Sequence, residues 1–237
     1  MPAFNSIVMN NPHPFNHHST AVKTSFAPSF MSKVFTCFGL AVAVSAFGAF
    51  IGLNYFAGYF ATSPALTYGL IIVELILVLT SGLWSRKEPL NYFLFGLFAF
   101  VTGLTLVPIL GYLTFTAGGV DLLIKSLTAT ALMFGACAMF GATTHYNLQG
   151  LRGFLVMSLL GMIVVSLVGI FLPWGNSFEM IFAGFGVMIF SGFVMYDIQN
   201  LRHYPEDMYI QAAMQLYLDI FNLFLYILRL LTAFSRD

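Results

Sequence analysis

The sequence predicts an all-α integral membrane protein with seven transmembrane helices. Only 8% of its 237 residues are charged and 59% are hydrophobic, whereas soluble domains carry roughly 25% charged residues. Seven stretches are long enough and apolar enough to cross a bilayer, which takes a helix of ~20 residues. None alternates like a membrane β-strand, and backbone groups cannot stay unpaired in hydrocarbon, so helices are expected.

The chain divides into a polar tail and one membrane domain. Residues 1–29 are predicted to form a disordered cytoplasmic tail, because Asn, His, Pro and Ser dominate there without an apolar period. Residues 30–237 are predicted to form the seven-helix domain, whose first apolar run is too long for a signal-peptide core. The spans are placed near 33–57, 65–85, 90–111, 121–142, 152–172, 177–200 and 208–232.

Basic residues predict the orientation of these spans. They precede the first span and follow the second, fourth and sixth, at Lys23, Lys33, Arg86, Lys87, Arg152 and Arg202. The positive-inside rule therefore predicts a cytoplasmic amino terminus and an outside carboxyl terminus. Arg229 and Arg236 would favour the cytoplasm, so a re-entrant last segment is the alternative.

Two aspartates, Asp197 and Asp219, lie inside the last two apolar runs. A charge in mid-bilayer costs from ~2.5 to more than ~10 kcal/mol, so such carboxylates indicate function. Both fall in the cytoplasmic half, with Asp219 ~17 Å along its helix, and they are expected to meet. Such a pair titrates in two coupled steps, senses pH and holds a cation when charged. The alternative is that each aspartate only fixes helix packing.

Further polar residues follow three helical faces at 100° per residue. The seventh span carries Gln211, Gln215, Asp219, Asn222, Tyr226 and Arg229 on one arc, which predicts a central helix. The second span carries Thr67, Glu74, Ser81 and Ser85, and the sixth carries Glu179, Ala183, Gly186, Phe190 and Asp197. A path between the two membrane surfaces is expected along the face of the sixth span, with Arg86 as a counter-charge that latches onto Asp197.

Small residues at helical spacing predict close helix contacts, as in the pair Gly48 and Gly52 and the pair Ala131 and Gly135. Other features exclude classes of function. The net charge of +0 argues against nucleic-acid binding. Cys37 and Cys137 form no CxxC, so neither a disulfide framework nor a zinc site is indicated, and no cofactor is predicted.

Four segments carry a resemblance to known proteins: GLTLVPIL at 103–110, TTHYNLQGLRGF at 143–154, GFVMYDIQNLR at 192–202 and LYLDIFNLFLYILRLL at 216–231. Together they resemble the Bax inhibitor-1-like family of transmembrane Bax inhibitor motif proteins, and its bacterial members in particular. The resemblance covers about residues 30 to 234.

That resemblance implies six helices around a central C-terminal seventh, and a pH-sensitive calcium leak in the bacterial inner membrane. The family's paired-aspartate pH sensor maps onto Asp197 and Asp219, its second-span glutamate onto Glu74 and its latch arginine onto Arg86. Glu74, the two aspartates and Asn222 are then expected along the ion path, with the aspartates making transient calcium contacts. The implied partners are the lipid bilayer, calcium ions and a membrane protease or other membrane protein.

Other functions remain as alternatives. A non-conducting stress or interaction protein, acting on a membrane protease or a cell-death pathway, fits a polar core equally well. An intramembrane aspartyl protease needs GxGD at its second aspartate, whereas Leu216, Tyr217 and Leu218 precede Asp219, so no enzyme is expected. A retinal receptor needs a lysine in the seventh span, and none is present.

Overall fold

The computed structural model describes residues 28–116, 118–172 and 174–235, which form helices and no strand. Ten α-helices are defined in this part: α1 Pro28–Ile51, α2 Ala57–Thr62, α3 Pro64–Leu79, α4 Ser81–Trp84, α5 Leu90–Thr105, α6 Val107–Phe115, α7 Gly119–Thr143, α8 Arg152–Phe171, α9 Asn176–Asn200 and α10 Tyr209–Phe234. Residues 1–27 of the predicted tail, with its histidines, lie outside the described residues, as does Arg236.

Six helical stretches of the described residues are long and apolar enough to cross a membrane. They are Phe30–Thr62, Leu90–Phe115, Gly119–Thr143, Leu148–Phe171, Asn176–His203 and Glu206–Phe234. The remaining expected span corresponds to α3, which is apolar but only 16 residues long. An all-helical membrane protein is thus confirmed, while the count of seven spans stays a prediction. The last helix is continuous over 26 residues, unlike a re-entrant segment.

Glycines allow α1 and α5 to pack backbone against backbone. A Cβ on Gly48 would lie 2.5 Å from the carbonyl oxygen of Phe100, and one on Gly103 would lie 2.0 Å from that of Ser45. The predicted close contact at Gly48 is therefore confirmed. Gly135 has open space where its Cβ would stand, so the pattern on α7 does not mark a close contact there.

The last helix, α10, supplies much of the protein core. It packs against α9, α7, α1 and α5, and its fully buried side chains include Ile210, Leu216, Tyr217, Leu223 and Leu228. Four of its polar residues, Gln215, Asp219, Asn222 and Tyr226, line a cavity that α8 and α9 also line. These contacts suit an inner position, and the complete ring of six helices around α10 stays a prediction.

Candidate functional site

The carboxyl groups of Asp197 and Asp219 meet between α9 and α10. Both side chains are buried, with 7% and 5% exposure, and their carboxyl groups lie within hydrogen-bonding reach of each other. A hydrogen bond between two carboxyl groups requires a proton on one of them. Asp219 Oδ2 is buried and accepts no hydrogen bond from the other donors of the described residues. Asp219 Oδ2 therefore lacks a donor that would stabilise a negative charge on it.

The aspartates line a cavity of about 600 Å³, here called the carboxylate cavity. Its polar wall comes from α9 and α10 through Asp197, Gln215, Asp219, Asn222 and Tyr226. Its other wall is apolar and comes mainly from α8, through Val156, Leu159, Met162, Ile163, Leu167 and Ile170. Four residues of the predicted polar arc of the last span thus share one cavity. The Asn222 amide donates to the Leu218 carbonyl oxygen at 2.7 Å, which leaves its side-chain oxygen available to the cavity.

Arg152, and not Arg86, is the arginine that lines the carboxylate cavity. Arg152 begins α8, lines the carboxylate cavity and acts electrostatically on Asp197. Arg86 instead lies 3.4 Å from Asp207 in the α9–α10 connection, and donates to Met208 Sδ. The predicted latch between Arg86 and Asp197 is therefore absent from the described contacts. Arg86 pairs with Asp207 because both side chains can stay in water there, whereas pairing with the buried Asp197 would require burying the Arg86 charge.

In the sequence, Arg152 indicated only the orientation of the spans. Its nearness to Asp197 could have been predicted, because Arg152 is the first residue of a span and lies on the same side of the membrane as Asp197. Gln199, two residues after Asp197, fixes the loop before α8, because it accepts from Leu148 N and donates to the Tyr146 carbonyl oxygen, both at 2.8 Å. This contact positions Arg152 relative to the pair.

Tyr204, in the α9–α10 connection, contacts one residue of the cavity wall. The Tyr204 hydroxyl donates to Gln215 Oε1. Burial, reinforced by the nearby Asp197 carboxylate, raises the pKa of Tyr204 above its ordinary value. Tyr204 therefore stays neutral and holds Gln215 beside the aspartates.

Glu74 lies apart from the pair. It is half-buried on α3, where its Oε1 accepts a hydrogen bond from Thr105 Oγ1 of α5 at 2.9 Å. Among the residues that line the carboxylate cavity, α3 contributes Leu75 and not Glu74. The expected single polar core of three carboxylates thus divides into a pair and a separate glutamate, because successive residues of a helix point in directions 100° apart.

A second cavity of about 280 Å³ continues along the same helices, and is here called the ion-pair cavity. Its charged residues are Glu179 of α9 and Arg229 of α10, whose side chains form an ion pair at 3.6 Å. Both residues belong to the polar faces predicted from the sequence. Their pairing was not foreseen, because two separate helical faces do not show which residues meet.

No group of three or more His, Cys, Asp and Glu side chains suited to a metal ion occurs in the described ranges. A cation at the aspartates would need further oxygen ligands, since calcium takes 6–8 of them. The side-chain oxygens of Gln215 and Asn222 line the same cavity, and water would supply the rest. This arrangement suits transient contacts with a passing cation better than a closed binding site.

Comparison with known proteins identifies the family. Residues 27–236 match the model of the family described as Inhibitor of apoptosis-promoting Bax1. The chain belongs to this family. Members of the Bax inhibitor family that resemble it include Protein LIFEGUARD 4 of Arabidopsis thaliana, with 34% identity over 86% of this chain and 84% of the relative. Bax inhibitor 1 of Schizosaccharomyces pombe shares 28% identity over 74% of this chain and 68% of its own length.

Bacterial proteins are also among the similar sequences. An uncharacterized protein of Helicobacter pylori strain 26695 shares 29% identity over 88% of this chain and 89% of its own length. The predicted resemblance to the Bax inhibitor-1-like family is thus confirmed across nearly the whole membrane domain. Similar proteins thus occur in a plant, a yeast and a bacterium.

Proposed function

We propose that this Bax inhibitor family member is a pH-sensitive cation leak, chiefly for calcium, gated by Asp197 and Asp219. The observation that carries the proposal is a pair of buried carboxyl groups that lie within hydrogen-bonding reach of each other and line a cavity within a membrane-spanning bundle. Ionisable residues inside membrane spans typically mark ion or proton pathways. That this chain belongs to the Bax inhibitor family is consistent with this function.

Loss of the shared proton is the proposed gating event. Two facing carboxylates repel each other, so the doubly charged pair either separates or recruits a cation. Asp197 and Asp219 then contact calcium transiently, with Asn222 contributing an oxygen further along the cavity. Arg152 acts as the counter-charge that competes with the cation. Arg86 and Glu74 belong to the proposed machinery only indirectly, through the α9–α10 connection and the α3–α5 contact.

The proposal places the protein in a bacterial inner membrane with its amino terminus in the cytoplasm. Lys33 stacks over the Tyr209 ring at 5.1 Å, and Arg86 pairs with Asp207. These basic residues therefore gather at the end of the bundle where α9 connects to α10. The positive-inside rule makes that end cytoplasmic.

Purified protein in liposomes with an entrapped calcium dye tests the proposal. The parent protein is expected to release calcium at a rate that changes with pH. Asn resembles the protonated carboxyl group, so the double variant Asp197→Asn with Asp219→Asn should show, at every pH, the rate that the parent shows at low pH. Asp121→Asn is the matched control, because Asp121 is exposed and pairs with Lys125 at 2.6 Å. Parent flux that does not respond to pH would contradict the proposal.

A non-conducting interaction protein is the second candidate, favoured by the family description as an inhibitor of apoptosis-promoting Bax1. On this alternative the aspartates serve packing, and a membrane protease or another membrane protein is the partner. Full biological activity of the double Asn variant, together with a co-purifying partner, would support it. Neither candidate is an enzyme. Cleavage of a transmembrane reporter that depends on Asp219 would instead indicate a protease.

A further inference from the structure

The carboxylate cavity and the ion-pair cavity abut each other along α8. Ser166 and Ile170 line both of them. Beyond these shared residues the two cavities have different linings, with Phe190 in the first and Phe182 in the second. The two cavities thus meet at the level of Ser166 and Ile170, between the aspartate pair and Glu179.

The side chain of Tyr226 stands at this level. Its ring stacks on Phe190 with centroids 5.5 Å apart, and meets Phe182 edge-on at 6.0 Å. The ring fits into a slot on α9 that exists because Gly186 has no side chain, since a Cβ there would lie 2.3 Å from Tyr226 Cδ1. Tyr226 therefore bridges from α10 to α9 and contacts one aromatic residue from each cavity.

The ion pair lies next to this aromatic cluster. Arg229 follows Tyr226 by three residues on α10, so the two side chains point the same way. The Arg229 guanidinium lies 5.4 Å from the centre of the Phe182 ring and 3.6 Å from Glu179. Phe182 thus contacts both the ion pair and the Tyr226 ring. The Glu179 and Arg229 side chains remain 29% and 39% exposed, so the pair stabilises this arrangement only weakly.

We propose that Tyr226 is the barrier between the two cavities, and that the Glu179–Arg229 ion pair holds its ring in the Gly186 slot. Opening then requires the ring to leave the slot, and a weak ion pair makes this step readily reversible. The barrier is distinct from the aspartate pair in position and in chemistry. Its role in ion passage rests on the proposed function, whereas its role in separating the two cavities does not.

Cysteine labelling tests the barrier without any measurement of ion flux. Cys37 and Cys137 are replaced by alanine, and Asn222→Cys places a reporter thiol in the carboxylate cavity. A charged, membrane-impermeant thiol reagent is added to one side of the membrane at a time. With Tyr226 present, the reporter is expected to react from one side only.

Removal of the ring should open the second side. In Tyr226→Ala the reaction from the previously closed side should rise about tenfold or more, because a rate depends exponentially on its barrier. Tyr226→Phe keeps the ring and should behave as the parent. Phe224→Ala is the matched control, because it truncates a buried aromatic residue of the same helix that packs against Leu113 and Leu228, away from both cavities.

Milder variants test the ion pair and cover the case in which Tyr226→Ala does not fold. Glu179→Gln and Arg229→Gln should each raise the reaction from the closed side, and the exchange Glu179→Arg with Arg229→Glu should lower it again. Equal labelling from both sides with Tyr226 present, or no change in any of these variants, would overturn the proposal. If labelling follows the expected pattern but the protein releases no calcium from liposomes, the calcium leak is refuted and the proposal that Tyr226 is a barrier is retained.

Discussion

Arg152, the first residue of α8, supplies the positive charge that acts on Asp197 in the carboxylate cavity. The gate of the proposed channel thus includes a third charged group, contributed by a helix that carries neither aspartate. Arg86, the arginine expected from the sequence, is occupied by Asp207 outside the cavity.

Replacing Arg152 with glutamine is expected to shift the pH response of calcium flux toward higher pH. Without the nearby positive charge, the pair ionises less readily and keeps its shared proton further into the alkaline range. The flux of the Arg152→Gln variant, measured across pH in dye-loaded liposomes, checks this. Arg86→Gln is the matched control and should leave the midpoint in place. A larger shift in Arg86→Gln than in Arg152→Gln would show that the latch predicted from the sequence forms in the membrane.

Loss of the Gln199 side chain is expected to loosen the loop between α7 and α8. Gln199→Ala leaves Leu148 N and the Tyr146 carbonyl oxygen without their partner, at a cost of about 1–3 kcal/mol if water does not replace it. Hydrogen exchange of residues 144–151 should become faster. Gln149→Ala, an exposed position in the same loop, should leave exchange unchanged, and equal acceleration in both variants would argue against a specific clamp.

A methyl group on Gly103 should separate α1 from α5. The new Cβ would meet Ser45 O at 2.0 Å and Ala49 N at 2.9 Å, and a backbone contact cannot relax by rotating a side chain. The expected loss is about 1–3 kcal/mol in the free energy of unfolding, seen as a lower melting temperature in detergent. Gly96→Ala on the same helix meets nothing within 4 Å and should stabilise by up to ~1 kcal/mol. Similar melting temperatures for the two variants would disprove the close packing.

Glu74→Gln should affect flux much less than Asp219→Asn. Glutamine keeps the side-chain oxygen that accepts from Thr105 Oγ1, so the free energy of unfolding should change by less than about 1 kcal/mol. Since Glu74 does not line the carboxylate cavity, its charge is not expected to gate the path. Flux through the two variants, compared in the same liposome assay, decides the matter. If Glu74→Gln and Asp219→Asn change the flux equally, Glu74 belongs to the ion path, as the sequence predicted.

Much of the site could be predicted because a helix has a fixed period. The polar arc of the last span depends only on rotation by 100° per residue, and Gln215, Asp219, Asn222 and Tyr226 indeed share a cavity. The meeting of Asp197 and Asp219 was also predictable, because a short connection forces their two helices to lie side by side. In both cases the relevant geometry is local.

Contacts between helices distant in sequence could not be predicted in this way. Three such contacts are the ion pair of Arg86 with Asp207, the ion pair of Arg229 with Glu179 and the hydrogen bond from Thr105 to Glu74. Neither the charge pattern nor the helical period of the sequence predicts them. Each pairing depends on helix rotation and tilt, which the packing of many side chains sets together.

By itself, the sequence determined that this protein is helical, lies in a membrane and carries two aspartates on adjoining helices, since composition and helical period act locally along the chain. Only the tertiary structure decided which arginine lies beside the pair, which residues line its cavity and which rings pack against Tyr226. Those features depend on contacts of a few ångströms between separate helices, such as the fit of Tyr226 against Gly186.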